Sequence, residues 1–146
     1  MPRLTLDLAS TIVDGALAHG RKGGMKPLAV AVLDAGGHML AFKRDERAGI
    51  LRREIAEGKA WGVLGMGYGG REFVRRNEIR PTFYTALAVA SQGRIMPVAG
   101  GVLVRDAGGE IIGSVGVTGD TEINDDACAL AGISVAGLTG DPGDSA

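Results

Sequence analysis

LAVAVLDAGGHMLAFKR (residues 28–44) and GVLVRDAGGEIIGSVGV (residues 101–117) share one plan: an apolar run, Asp-Ala-Gly-Gly, and a second apolar run. The paired glycines at 36–37 and 108–109 supply the positive φ that a tight hairpin requires. Asp34 and Asp106 can each accept hydrogen bonds from their own turn backbone. Both stretches are therefore read as β-hairpins, with strands at 28–34 and 38–44, and at 101–106 and 110–117.

The segments around the hairpins carry helical spacing. Thr5 is placed to cap a helix running from Leu6 to about His19, with an apolar stripe at Ile12, Val13, Ala16 and Leu17. His19, seven residues after Ile12, falls on nearly the same side, and Gly20, Gly23 and Gly24 follow as the terminator. Further helices are expected at 51–66, about 70–77, about 82–91 after Pro81, and from a cap at Asp120 or Thr121 to about Gly137. RIMPV (residues 94–98) reads as a short strand, and Pro97 assigns it to a sheet edge or a strand end. Strands arriving in hairpins rather than in β-α-β alternation predict an antiparallel sheet covered by helices, an α+β domain. One domain is expected over residues 1–137, followed by a flexible tail, 138–146, rich in Gly, Pro and Asp.

Composition narrows the function classes. The 16 Lys and Arg balance 17 Asp and Glu, so no basic surplus points to nucleic acid. The local cluster Arg71, Arg75, Arg76 and Arg80 has acidic neighbours in Glu72 and Glu78. It reads as a solvated helix face or, alternatively, a patch for an anion or a second subunit. The single Cys128 excludes an intrachain disulfide and a Cys-rich metal site, and no metal site is expected. No apolar run is long enough for a membrane span, and the N-terminus lacks a charged segment leading into an apolar core. A cytoplasmic location is expected.

The motifs KPLAVAVLDAGGHMLAFKRDE, EIAEGKAWGV and PVAGGVLVRDAGGEIIGSVGVTGDTEINDDACALAGI, in this order, resemble the GlcG/HbpS family of haem-binding-protein-like domains, which are also found fused to some corrinoid adenosyltransferases. The similarity spans about Leu4 to Ile133. It implies a profilin-like fold with a five-stranded antiparallel sheet, assembly into homo-oligomers, and haem as the cofactor. The chain departs from the family pattern at Ala99–Val104, at Lys43–Ile50 and in the glycine-rich basic loop 65–80.

Two regions are candidates for the chemistry. The glycine pair Gly100–Gly101 and the strand-to-helix turn Gly119-Asp120-Thr121 both expose backbone N–H groups, which favour an anion such as a carboxylate. Lys59 of the GKA motif or Arg80, with Tyr84 nearby, would add positive charge and would be the acid–base groups if the protein is an enzyme. Lys59 reads equally as half of an ion pair, with Glu54 or Asp34 as its partner. The second region is the first helix, where the resemblance implies a histidine ligand to haem. His19 is the closest match and is otherwise a half-buried structural histidine, whereas His38 reads as a surface residue and Cys128 as core. The two functional readings are a small-ligand-binding homo-oligomer, for haem or a small organic carboxylate, and a cofactor-free tautomerase, hydratase or hydrolase acting on a small unsaturated acid.

Overall fold

The computed structural model describes residues 3–143. Helix α1 (Leu6–Lys22) is followed by strands β1 (Ala29–Asp34) and β2 (Met39–Arg44). Three helices come next, α2 (Arg52–Met66), α3 (Gly70–Ile79) and α4 (Pro81–Ala90). Strands β3 (Gly101–Arg105) and β4 (Ile111–Thr118), helix α5 (Glu122–Val135) and strand β5 (Thr139–Asp141) complete the chain. All strand pairs are antiparallel, in the order β2-β1-β4-β3-β5. The α+β class and the antiparallel sheet expected from the hairpins, and the five strands implied by the family resemblance, are as observed.

The two Asp-Ala-Gly-Gly segments make the same turn. Gly37 and Gly109 both have φ +84°, and their N–H groups donate to Asp34 O and Asp106 O at 3.0 Å. Asp34 Oδ1 accepts from Gly36 N and His38 N, and Asp106 Oδ1 accepts from Glu110 N at 2.9 Å. A three-residue loop ending in a left-handed glycine sets the register of each hairpin.

Strand alternation sorts side chains by size. Val30, Val32, Val102, Val104, Val115 and Val117 form one core with α1 and α5. The opposite face carries Ala29, Ala31, Gly101, Ser114 and Gly116, and α2 lies directly on it. A Cβ on Gly116 would sit 1.9 Å from Ala56 O, so this glycine sets how closely the helix approaches the sheet. Beyond α2, Val63, Phe73, Tyr84, Ile95 and Leu103 form a second core that anchors α3 and α4.

Three expectations are corrected. Residues 94–98 are not a strand: Met96 N donates to Gly58 O, Val98 N turns back to Met96 O, and the segment packs on Gly58 and Gly62 of α2 instead of joining the sheet. The fifth strand comes from the expected tail, where Thr139–Asp141 pairs with Leu103–Arg105 and Arg105 contacts Asp141 at 3.0 Å. The remaining tail residues, 144–146, lie outside the described residues. Helix α1 does not stop at Gly20 but continues to Lys22 and caps at Gly23, because Gly20 is needed against Leu28, where a Cβ would meet Leu28 Cδ1 at 2.5 Å. No helix among the described residues is long and apolar enough to cross a membrane.

Candidate functional site

The close approach of α2 to the sheet brings Lys59 against the glycine pair. Lys59 is 4% exposed, and its Nζ donates to Val117 O at 2.9 Å and to Asp125 Oδ2 at 3.3 Å. Gly100, at φ +104°, passes so close that a Cβ there would meet Lys59 Nζ at 2.6 Å; a Cβ on Gly101 would meet Lys59 O at the same distance. Gly119, at φ +138°, likewise passes against Pro27 O.

The backbone donors expected to hold an anion do hold one, and it belongs to the chain. Gly100 N donates to Asp126 Oδ1 at 2.8 Å, and Asp120 N donates to Asp125 Oδ1 at 3.1 Å. Arg71 Nε reaches Asp126 Oδ2 at 2.8 Å. Burial pushes the carboxyls of Asp125 and Asp126 above the usual carboxylate range, with Lys59 and Arg71 pulling the other way. Asp120 stands at the edge of this network. It accepts from Lys26 N, Thr121 N and Asn124 Nδ2, which lower its carboxyl to about 2. Thr121 is the N-cap of α5, its hydroxyl accepting from Asn124 N at 3.2 Å.

The structure thus joins Lys59, Gly100, Gly101, Gly119, Asp120 and Thr121 in one region. Arg80 is not among them. It lies exposed on the α3–α4 corner with its guanidinium 4.8 Å from the Phe83 ring. Tyr84 is buried and shares a short hydrogen bond with Tyr68.

His19 is exposed, in contrast to its expected half-buried position. The buried arc of α1 runs through Ile12, Ala16, Ala9, Gly20, Val13 and Leu17. Ile12 marks one edge of that arc, and at about 100° per residue His19 falls roughly 20° beyond it, on the solvent side. There it borders an open groove of about 560 Å³ between α1 and α5, with Gly15, Ala18, Lys22, Ala131 and Val135. The helices touch where Gly15 meets Gly132, with 3.0 Å between an added Cβ and Gly132 Cα. Two small residues therefore leave a shallow apolar trough beside the histidine.

The family model described as haem degrading protein HbpS-like matches residues 4–134. The chain belongs to the HbpS-like family. No curated protein sequence matches it. Among solved structures, a PduOC–haem complex has 22% identity and a TM-score of 0.83, over 94% of this chain and 97% of that one. Klebsiella pneumoniae ORFY has 24% identity and a TM-score of 0.83, over 94% and 93%. HbpS has 28% identity and a TM-score of 0.79, over 92% and 91%.

In this HbpS-like chain, sequence reasoning missed Asp125 and Asp126, and named Arg71 only as one member of a basic cluster. The first-turn position of Asp125, with Glu122, was legible as a complement to the α5 dipole. The inward direction of Asp125 and Asp126 was not, because nothing local to residues 125–126 identifies Lys59, 66 residues earlier, as a partner. Lys22 was also missed as a cation beside His19.

Proposed function

We propose that the protein binds haem in the groove between α1 and α5, with His19 as an axial ligand. The observation that carries this reading is the placement of the chain's one α1 histidine, exposed, on the rim of an apolar groove. At about 560 Å³ the groove lies within the roughly 300–1,000 Å³ typical of ligand sites. Gly15, Ala18, Ala131 and Val135 would face the macrocycle, and Lys22 would pair with a propionate. A histidine-bound haem supplies an iron centre whose reactivity follows from the axial ligand and the exposure of the macrocycle. The HbpS-like family description and the haem complex of PduOC support the same reading. The acid–base alternative would need Lys59, which is already hydrogen-bonded to Val117 and Asp125.

Titration with haemin should give a saturable Soret band in the wild type and a displaced, weakened band in His19→Ala, with the fold unchanged by circular dichroism. A His19→Ala protein that keeps the wild-type spectrum and affinity would remove the ligand assignment.

The reading includes a homo-oligomer. Helix α4 is apolar along most of its length, yet Tyr84 is its one buried residue; Val89 is 77% exposed and Phe83 40%. An apolar helix held outside the core is suited to burial against a second copy. Light scattering should give a mass above 15.0 kDa at micromolar concentration, and Val89→Glu should lower it.

A further inference from the structure

On the other side of α1 from His19, a cavity of about 190 Å³ opens at the helix C-terminal end. We propose that it is a binding site for a small organic monocarboxylate, with Arg21 as the principal anchor and Leu17, Gly20 and Leu28 as the surface for the ligand's carbon chain.

The charge balance around the cavity selects a monoanion. Three cations line it, Arg21, Lys26 and Arg47, with one carboxylate, Asp45. Arg47 is committed to Asp45 through a fork, Nε to Oδ1 at 3.1 Å and Nη2 to Oδ2 at 3.2 Å. Lys26 stands beside Asp120, which accepts its backbone N–H at 2.8 Å. Arg21 makes no ion pair among the described residues, and Asp45, whose carboxyl it helps to lower, is already taken by Arg47. One uncompensated positive charge remains at the mouth, and a guanidinium matches a carboxylate in bidentate geometry.

The floor selects an organic rather than an inorganic anion. Leu17 is 7% exposed and Leu28 4%, and Gly20 between them lets Leu28 close against α1. Inorganic phosphate would gain nothing from this surface, whereas a two- to four-carbon chain would be desolvated on it. The walls are held in place before any ligand arrives. Arg44 Nη1 donates to the carbonyls of Asp45, Glu46 and Ala48, and Asp45 N donates to Leu28 O at 2.9 Å. Such preorganisation reduces the ordering cost of binding. The cavity shares no residue with the groove that carries His19, so this site stands or falls independently of haem.

The test is a titration of haem-free, isotope-labelled protein with sodium butyrate, followed by amide chemical shifts, with sodium chloride and sodium phosphate at matched ionic strength as comparisons. Butyrate should move the resonances of Gly20, Arg21 and Lys26 along saturable curves, with a dissociation constant on the order of 1 mM, as one charge-assisted contact and a few covered methylenes would give. Arg21→Gln should raise that constant about tenfold, and Arg21→Lys should recover part of it. Arg21 is exposed, so both variants should keep the wild-type unfolding midpoint. Shifts that stay linear, shifts that phosphate or chloride reproduces, or an Arg21→Gln protein with unchanged affinity would each overturn the assignment.

Discussion

Replacing Lys59 with Met keeps the aliphatic stem on the sheet and deletes the ammonium. Among the described residues, Asp125, whose side chain is 2% exposed, then loses its one cation and keeps only the Asp120 N–H, while Val117 O loses its side-chain donor. At 3.3 Å and an effective dielectric of about 20, the deleted Coulomb attraction is about 5 kcal/mol. Stranding one member of a buried pair typically costs about 3–5 kcal/mol. Against a total stability of roughly 5–15 kcal/mol, the variant should fold but unfold at much lower urea concentration. The loss should depend on pH in a definite direction. With the cation gone, the Asp120 N–H is left as the opposing influence on a buried Asp125, so its folded pKa rises further above the unfolded value of about 3.9. A group raised on folding favours the native state below its unfolded pKa and loses that contribution as pH rises through its folded pKa. The deficit of Lys59→Met should therefore be full at neutral pH and shrink on acidification. Lys59→Met/Asp125→Asn, which removes both charges and keeps an acceptor for Asp120 N, should recover most of the loss. A single variant less than about 1 kcal/mol below wild type, or a deficit that does not shrink as pH falls, would refute the buried-pair argument.

Asp120 supplies the opposite pH dependence: its folded carboxyl lies at about 2, below its unfolded value, so its contribution is complete above about pH 4 and lost as pH falls towards 2. Urea midpoints of Asp120→Asn should decline less steeply than wild type across that window; parallel slopes would rule the contribution out. Gly116→Ala, whose Cβ would meet Ala56 O at 1.9 Å, should lose about 1–3 kcal/mol or more as α2 is forced from the sheet. Gly65→Ala, facing open space on the same helix, should gain about 0.5–1 kcal/mol, and the reverse order in thermal unfolding would overturn the packing account. Burial lifts the Cys128 thiol to about 11, so an aromatic disulfide reagent near pH 8 should leave it untouched in the folded protein and label it readily in concentrated urea.

Several elements were legible in the sequence because their causes are local. Each Asp-Ala-Gly-Gly carries its own turn donor, acceptor and left-handed glycine within four residues, so both hairpins could be read without knowing what they pack against. The same holds for the cap at Thr5 and for the α5 cap, narrowed in the sequence to Asp120 or Thr121 and found at Thr121; in both, the hydroxyl and the N–H it satisfies are three residues apart. The family could be read too, since it is carried by motifs and their order. Tertiary structure decided what depends on distant partners. Thr139–Asp141 has little strand character of its own and becomes a strand because β3 offers an open edge. RIMPV has strand character but is held by the glycine face of α2. The anion favoured by Gly100 and the α5 start was legible as a charge requirement. Its source was not, because the cations that hold Asp125 and Asp126 inward come from distant elements, Lys59 from α2 once it has settled onto the Ala/Gly face of the sheet and Arg71 from α3. His19 left the expected stripe for a similar reason: periodicity gives the angle between residues, but only the packing of α5 on α1 fixes where the buried arc begins and ends.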